Sequence, residues 1–385
     1  MGTGGTGARV DAVSTGSELA EIVAREAPHV RDFATLTEVC EGAWPGDVLQ
    51  ALGSLEGDAA TALRDGISRP AGRVRSDRRL PLAHPLDADW RFTRATAEHI
   101  LDTLLAASPA GGDILLIAMP TVALAAYDRG LIHRIVVASR HGDPIDFALR
   151  AALTACRFVG LRELPRAAFS TVALDPPWYD DVALPLVDIA IDAVAPDGHV
   201  VLCTPDRLTS PSQARALSAM AHAPDTLGFG AVTPLGQVRY ATPFFELRCL
   251  RASGIANVSP QWRTGRLHAC RPGSWPRPRS GPTAGVGRPW REVGHGLIRI
   301  WVRRPPAGEG AAAIAIASSI SRTDRTREVA ALWTSGNTFA AHVGPIDPGA
   351  LRMRIGDPAW PAWRSRVDEA LADEFTALGR SVDFD

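Results

Sequence analysis

The sequence contains no lysine, so all 41 of its basic residues are arginines. Together with 35 glycines and 30 prolines, this bias is typical of a GC-rich bacterial genome, and the arginine count alone therefore does not indicate binding to nucleic acid. The 41 basic and 42 acidic residues leave a formal net charge of -1. No strong global field therefore draws the chain to nucleic acid or to a membrane surface.

Cysteine is also scarce, since five residues are scattered along the chain without any C-x-x-C pair: Cys40, Cys156, Cys203, Cys249 and Cys270. An odd number at irregular spacing argues against a disulfide framework and against a zinc site, so we expect no metal. The segment 1–8 lacks the pattern of a signal peptide, and no apolar run is long enough to span a bilayer. These features predict a cytoplasmic protein without membrane contact.

The chain is longer than a typical single domain, and its composition and residue pattern change twice along the sequence. We predict a helical region with a linker over 1–78, an α/β domain over 79–270, and a linker followed by a β-rich region with a closing helix over 271–385. Nothing in the sequence predicts the oligomeric state.

The first region begins with a Gly/Thr-rich stretch, 1–16, which we interpret as a disordered tail. Helical patterns follow over 17–23, 45–52 and 58–63. They indicate either a winged-helix-like domain or, as we favour, a helical extension packed on the α/β domain. The Arg-rich stretch 68–79 is interpreted as a solvated linker, with contact to phosphates as the alternative.

In the second region, apolar runs over 113–119, 134–139, 169–174 and 199–203 alternate with helical patterns. Continuous apolar runs are typical of strands buried on both faces of a parallel sheet. We therefore predict an α/β fold with a Rossmann-like, doubly wound, mostly parallel sheet whose ligands bind at the carboxyl ends of the strands. The intervening helices are expected at 93–107, 121–129, 144–156, 182–194 and 213–221, and a closing antiparallel pair at 238–240 and 244–250.

The third region is predicted to begin with a Pro/Gly/Arg-rich linker, 271–289. Ser335-Gly336-Asn337 has the composition of a hairpin turn, whereas Trp262 and Trp333 are candidates for surface aromatic contacts. Strand-like stretches are expected at 297–302, 311–317, 329–333 and 338–343, followed by an amphipathic helix at 363–378.

The most informative motif is Asp175-Pro176-Pro177-Trp178, followed by Tyr179, at the end of the apolar run 169–174. A carboxylate and a fixed carbonyl can accept both hydrogens of an amine, prolines restrict φ and offer no N–H, and an aromatic ring can stack on a planar base. The alternative is a turn after a strand, with Trp178 as core filler. We expect Asp175 to face the surface, so that its replacement leaves folding nearly intact.

This motif resembles the D-P-P-[YFW] motif of class I S-adenosylmethionine-dependent amino-methyltransferases, which modify exocyclic amines such as adenine N6. The resemblance covers about 113–250 and implies S-adenosylmethionine as cofactor, with a nucleobase in DNA or RNA, or a nucleoside, as the expected substrate. It assigns Asp175, Pro176, Pro177 and Trp178 to catalysis and Tyr179 to substrate binding.

The cofactor side departs from the family, which usually has a glycine-rich loop after the first strand and an acidic residue after the second. The equivalent residues, which we expect to line the cofactor, are Ala118, Met119, Pro120, Thr121 and Ser139. Asp143 is a further candidate after the second strand. This departure leaves open a second interpretation, an inactive methyltransferase fold that binds a nucleotide or a partner without turnover.

A third interpretation is an aminopropyltransferase similar to the branched-polyamine synthases, which use the same fold. Their acidic pocket needs several carboxylates beside the first-strand loop, and the stretch Met119-Pro120-Thr121 has none. The segment 84–92, just before the first helix of the α/β domain, either contacts a nucleoside through Asp87, Asp89 and Trp90 or packs as an entry segment.

Overall fold

A computed structural model describes most of the chain, and all structural statements below refer to the residues that it describes: 7–70, 72–86, 90–109, 111–139, 144–209, 229–272, 290–295, 298–303, 313–316, 330–341 and 364–384. The chain divides into two compact units. Unit 1 comprises Met1–Gly66, Arg91–Ala241 and Gln261–Ala284, and unit 2 comprises Ile67–Trp90, Thr242–Pro260 and Gly285–Asp385.

Unit 1 begins with four helices: α1 (Gly7–Glu26), α2 (Phe33–Val39), α3 (Pro45–Gly53) and α4 (Asp58–Asp65). The expected tail over 1–16 is therefore wrong from Gly7 onward, because α1 begins there and buries Leu19, Ile22 and Val23 further along. Asp32 caps α2, since its Oδ1 accepts a hydrogen bond from the Thr35 amide at 2.8 Å.

The core of unit 1 is an eight-stranded sheet in the order β2-β8-β9-β7-β6-β3-β4-β5. Its strands are β2 (Arg91–Phe92), β3 (Ile114–Ile117), β4 (Ile135–Ser139), β5 (Arg157–Gly160), β6 (Phe169–Leu174), β7 (Val194–Pro205), β8 (Phe229–Ala241) and β9 (Thr264–Pro272). The run β5-β4-β3-β6-β7 is parallel, and β9 is antiparallel to both β7 and β8. The four predicted strands are therefore confirmed as parallel neighbours, whereas β5 and β9 were not predicted.

Four helices connect these strands: α5 (Arg94–Ala107), α6 (Pro120–Asp128), α7 (Pro144–Ala152) and α8 (Asp180–Ala193). All four residues of β3 are at most 1% exposed, which explains why its sequence is a continuous apolar run. The chain proceeds from β3 through β4 to β5 in one direction and from β6 to β7 in the other, so the strand order reverses between β3 and β6. The helix expected at 213–221 lies outside the described residues.

Unit 2 contains a five-stranded antiparallel sheet in the order β10-β11-β13-β14-β12 and a short parallel pair. The elements are β1 (Val74–Ser76), α9 (Phe244–Ala252), β10 (Trp290–His295), β11 (Ile298–Arg303), β12 (Ala313–Ile316), β13 (Ala330–Thr334), β14 (Thr338–Ala341), α10 (Arg364–Ser381) and β15 (Val382–Phe384). The β-rich C-terminal region ending in a helix is thus confirmed, and residues 335–337 form the turn between β13 and β14.

Three local predictions in these regions are wrong. Residues 244–250 form most of helix α9, which buries six of its nine residues, Phe244 and Leu250 among them. The linker 68–79 contains β1, which pairs with β15. Trp262 and Trp333 are not surface aromatics, since both are 0% exposed.

Candidate active site at the carboxyl edge of the sheet

Two strand ends meet where the strand order reverses. β3 ends at Ile117 and β6 ends at Leu174, and these two residues are register partners in the parallel ladder. The Asp175 amide donates a hydrogen bond to the carbonyl of Ile117 at 3.2 Å, so the segments that follow the two strands start side by side. In open α/β sheets, ligands bind at this reversal point outside the carboxyl ends of the strands. The expected position of Asp175 at the carboxyl edge is therefore confirmed.

Asp175 does not face the surface as expected, because only 7% of it is exposed. Its Oδ1 accepts a hydrogen bond from the hydroxyl of Tyr240 at 2.8 Å. Tyr240 lies near the end of β8, three positions from β6 in the sheet, and is 0% exposed. Because Asp175 is buried and accepts a hydrogen bond from a buried donor, its substitution is expected to affect stability as well as activity.

Aromatic rings surround the Tyr240 ring. The centroid of the Phe92 ring lies 4.8 Å away with the planes tilted by 32°, and the Trp178 ring meets Tyr240 edge-on at 5.2 Å and 87°. Trp178 is half-buried. Its ring thus packs in part against the site, as the alternative interpretation proposed, while part of the side chain remains accessible.

The electrostatics of this cluster keep the Tyr240 hydroxyl protonated. Burial raises the pKa of Tyr240 well above its usual value, and the negative charge of Asp175 raises it further, whereas Arg263 acts in the opposite direction. Burial and the charge of Asp175 also raise the pKa of the Cys203 thiol on β7. Tyr240 therefore acts as a neutral donor, and its hydrogen bond to Asp175 favours the ionised carboxylate.

The loop after β3 is a left-handed turn without glycine. Ala118 has φ of 55° and is exposed, whereas Met119 and Pro120 are buried. Left-handed backbone in a residue with a Cβ costs about 1–2 kcal/mol, which is why glycine is common in such turns. The chain therefore has an alanine at a left-handed position of this loop, and strained residues of this kind cluster at functional sites.

Helix α6 begins directly after this turn. Pro120 occupies its first position, where the missing N–H is not needed, and Met119 supplies no side-chain cap. In the second position, the Thr121 Oγ1 is buried and has no hydrogen-bond partner in the described part of the chain. A buried hydroxyl without a partner costs free energy, so Thr121 is a candidate for a ligand contact.

The residue after the second strand is already engaged. Ser139 is 4% exposed, and its Oγ accepts a hydrogen bond from Arg150 Nη2 at 3.1 Å. The Arg150 guanidinium lies over the Phe158 ring at 4.4 Å. Asp143, Asp87 and Asp89 lie outside the described residues.

The remaining sequence predictions concern Trp90, a metal site and a membrane helix. Trp90 packs edge-on against Phe245 at 6.0 Å, which agrees with the packing interpretation of its segment. The part of the chain that the structure describes contains no group of three His, Cys, Asp or Glu side chains that could hold a metal ion. None of its helices is long and apolar enough to cross a membrane.

Sequence reasoning missed a second buried carboxylate of unit 1, Asp206, which directly follows β7 and is 1% exposed. Arg266 Nε donates to its Oδ1 at 3.0 Å, and Thr264 Oγ1 and Gln237 Nε2 donate to its Oδ2 at 3.2 and 3.3 Å. These three donors hold β7, β8 and β9 together. Because both of its oxygens are engaged in the fold, Asp206 is a structural residue.

No protein-family model matches the chain, and no curated protein matches its sequence. Among solved structures, the branched-chain polyamine synthase from Thermus thermophilus, in complex with N4-aminopropylspermidine and 5'-methylthioadenosine, is 15% identical, with a TM-score of 0.47 over 69% of this chain and 91% of that chain. A TehB-like SAM-dependent methyltransferase from Corynebacterium glutamicum is 14% identical, with a TM-score of 0.29 over 46% of this chain and 87% of that chain. At these identities the likeness concerns the fold alone.

Proposed function

We propose that this protein is an S-adenosylmethionine-dependent methyltransferase that acts on an amine, with an exocyclic amine of a nucleobase or nucleoside as its substrate. The observation that carries the proposal is the buried Asp175 carboxylate, held by Tyr240 at the point where the strand order reverses. A carboxylate beside a left-handed loop at that point suits an enzyme that binds a nucleoside cofactor and activates a nucleophile.

The residues of the motif would prepare the amine for attack. An exocyclic amine is a poor nucleophile because its lone pair is delocalised into the ring. Asp175 would accept one amine hydrogen and the Pro176 carbonyl the other, which favours a tetrahedral nitrogen. As the C–N bond formed, the bond between the methyl carbon and the cofactor sulfur would break, the sulfur would keep that electron pair, and the neutral thioether would leave. The excess proton on nitrogen would pass to Asp175 and from there to solvent. The rate would then depend on holding the amine in line with the transferred group.

The cofactor would supply a methyl group on a positively charged sulfur. The residues around the first-strand loop fit such a group in part, because the Ala118 turn is exposed and the Thr121 hydroxyl is buried without a partner. Met119 and Pro120 are buried, so they would anchor the loop and would not contact the cofactor directly. Ser139 fits less well, because Arg150 already occupies its hydroxyl.

Calorimetry with S-adenosylmethionine tests the cofactor assignment. We expect binding in the micromolar to submillimolar range and weaker binding of adenosine alone. The Thr121→Val variant keeps the shape of the side chain but removes its hydroxyl, and we expect it to bind the cofactor several-fold more weakly. The absence of binding at millimolar cofactor would exclude the methyltransferase and favour a degenerate fold that binds a nucleotide or a partner without turnover.

Trp178 supports a planar substrate. Stacking on an aromatic ring contributes about 1–3 kcal/mol per base, so Trp178→Ala should weaken substrate binding by roughly tenfold to a hundredfold. Because Trp178 also packs on Tyr240, Trp178→Phe is the matched control that keeps an aromatic ring. We expect the phenylalanine variant to retain most of the affinity. Equal losses in both variants would indicate that Trp178 acts through packing alone.

An assay of methyl transfer distinguishes the substrate classes when it is run with nucleosides, with single-stranded DNA and RNA, and with polyamines. A polyamine is a polycation and needs several carboxylates, and the loop Ala118–Thr121 has none. We therefore expect the nucleobase substrates to be methylated. Transfer of an aminopropyl group to a polyamine, with decarboxylated S-adenosylmethionine as donor, would instead show an aminopropyltransferase.

A further inference from the structure

Tyr240 is fixed by contacts of its backbone, its ring and its hydroxyl. It is one of three tyrosines in the chain and is 0% exposed. Its backbone is fixed on both sides, because its amide donates to the Arg263 carbonyl at 3.0 Å and its neighbour Arg239 accepts from the Thr93 amide at 3.0 Å. Its ring packs between Phe92 and Trp178. The hydroxyl therefore has little freedom to leave Asp175.

The sheet also makes room for the ring to reach β6. Gly265 on β9 lies beside the ring, and a Cβ at that position would lie 3.3 Å from Tyr240 Cε2 and 2.6 Å from the Thr204 carbonyl oxygen. The absence of a side chain there allows the ring to extend across β9 and β7 toward Asp175. The sheet is thus adapted so that the hydroxyl of Tyr240 meets the carboxylate.

Tyr240 stabilises the carboxylate as a neutral donor. Removing a carboxylate from water favours its protonated form unless donors stabilise the charge. A hydroxyl stabilises the charge through a hydrogen bond and adds no charge of its own. Tyr240 supplies one hydrogen bond of 2.8 Å to Oδ1 and remains neutral, because burial and the charge of Asp175 raise its pKa.

We propose that Tyr240 is a positioning residue that keeps Asp175 ionised and fixes the orientation of its carboxylate toward the substrate amine. This inference rests on the proposed function and extends it to a residue outside the motif. Cys203 on β7 and Arg263 just before β9 also act electrostatically on this cluster.

The Tyr240→Phe variant tests the inference, because it removes the hydroxyl and retains the ring between Phe92 and Trp178. We expect kcat to fall by about 10- to 100-fold, the size of a lost hydrogen bond to a charged group, with KM changed by less than threefold. Since the carboxylate loses a donor, Asp175 should protonate at a higher pH, and the acidic limb of the kcat profile should move to higher pH. Tyr127→Phe, at a tyrosine that is 38% exposed on α6, is the matched control and should change neither quantity.

Three outcomes would overturn the inference. An unchanged kcat in Tyr240→Phe excludes a positioning role. A lower kcat with an unmoved acidic limb shows that the residue acts through packing alone. If Tyr240→Phe fails to fold, site-specific incorporation of 3-fluorotyrosine at position 240 of the otherwise unchanged chain replaces it. The more acidic phenol is a stronger donor, so the acidic limb should then move to lower pH, and an unmoved limb would contradict the inference.

Failure of the proposed function is distinguishable from failure of this inference. If the wild-type chain transfers no methyl group to any substrate, the protonation of Asp175 can still be followed by NMR of carboxyl-labelled aspartate, assigned with Asp175→Asn. We expect Tyr240→Phe to raise the pH at which this carboxyl protonates. An identical titration in wild type and variant would overturn the role of Tyr240 independently of any activity.

Discussion

At the scale of single residues, Ala118 adopts a left-handed backbone conformation that is unfavourable for alanine. Its φ of 55° costs about 1–2 kcal/mol in an alanine, whereas glycine adopts it freely. Glycine also makes the unfolded chain more flexible, which costs about 0.4–1 kcal/mol. Because the relief of strain is the larger effect, Ala118→Gly should raise the free energy of unfolding by about 0.5–1 kcal/mol in urea denaturation.

Ala118→Val is the control for this prediction. A β-branched residue is disfavoured in left-handed backbone, so this variant should be less stable than the wild type. If glycine and valine destabilise the protein equally, the left-handed turn is not the source of strain. Stabilisation by glycine accompanied by weaker cofactor binding would show that the strained turn serves binding.

Asp175 also has a structural role that its position at a strand end does not reveal. Asp175→Ala would leave the buried Tyr240 hydroxyl without its acceptor, which should cost about 1–3 kcal/mol of stability. Asp175→Asn keeps an oxygen that can accept this hydrogen bond and removes the charge. We therefore expect the asparagine variant to unfold close to the wild-type denaturant midpoint but to lose methyl transfer by at least a hundredfold. Near-wild-type turnover in Asp175→Asn would exclude the carboxylate from the chemistry.

At the scale of elements, the turn between β13 and β14 depends on Gly336. A Cβ there would lie 2.3 Å from Cδ of Glu374, a buried residue of α10 whose Oε2 accepts a hydrogen bond from Thr334 Oγ1 at 2.6 Å. Because Glu374 is buried and its carboxylate is bound by Thr334, Gly336→Ala should lower the free energy of unfolding by about 1–3 kcal/mol.

Gly16 offers the opposite case and serves as the control. It lies within α1, and a Cβ there would meet nothing within 4 Å. Gly16→Ala should therefore stabilise the chain by about 0.5–1 kcal/mol through helix propensity. Chemical denaturation of both variants checks the pair of predictions, and a neutral Gly336→Ala would show that Glu374 can move away from the turn.

The elements also show why some predictions from sequence were wrong. Residues 244–250 contain aromatic and apolar residues that suit a strand, but they form most of helix α9, which buries six of its nine residues. Strand β5 lies at the edge of the sheet, and its four residues are exposed or only half-buried. It therefore lacks the continuous apolar run that predicted its neighbours.

At the scale of the whole molecule, buried thiols should make the protein sensitive to alkali. Burial raises the pKa of Cys40 from 9.0 to about 12, and burial raises that of Cys270 to about 12 as well. A raised pKa in the folded state means that the stability is fully present below pH 9 and is lost as the pH rises toward 12. Between pH 9 and pH 12, each buried thiol should lower the free energy of unfolding by about 1.4 kcal/mol per pH unit.

Denaturation of the reduced protein at pH 8 and pH 10.5 checks this prediction. Cys40→Ala should lower the free energy of unfolding at pH 8, because the smaller side chain leaves a cavity. At pH 10.5 the difference in free energy of unfolding between this variant and the wild type should be smaller by about 2 kcal/mol, because only the wild type has the buried Cys40 thiol, which ionises on unfolding. Cys270→Ala is an independent second site and should behave in the same way. A gap that is constant with pH would show that the folded thiols ionise as readily as the unfolded ones.

Electrostatics over the whole molecule bear on nucleic acid as a substrate. In the stretch 68–79, contact to phosphates was the alternative interpretation. Arg73 donates hydrogen bonds to the carbonyls of Gly379 and Val382 and pairs with Asp383, and Arg79 pairs with Asp77. The basic stretch thus serves the folding of unit 2 in part. A free nucleoside or a short single strand agrees better with this charge distribution than a long duplex does.

The sequence by itself determined the four central strands, their parallel arrangement and the position of Asp175 at the carboxyl edge, because apolar runs and a strand-end motif are properties of contiguous residues. Only the tertiary structure decided that Asp175 is buried and bound to Tyr240, a residue 65 positions away. That pairing depends on how β8 and β9 order themselves beside β7, and on the space left by Gly265. Strand order follows from packing over the whole sheet, which no local spacing of residues encodes.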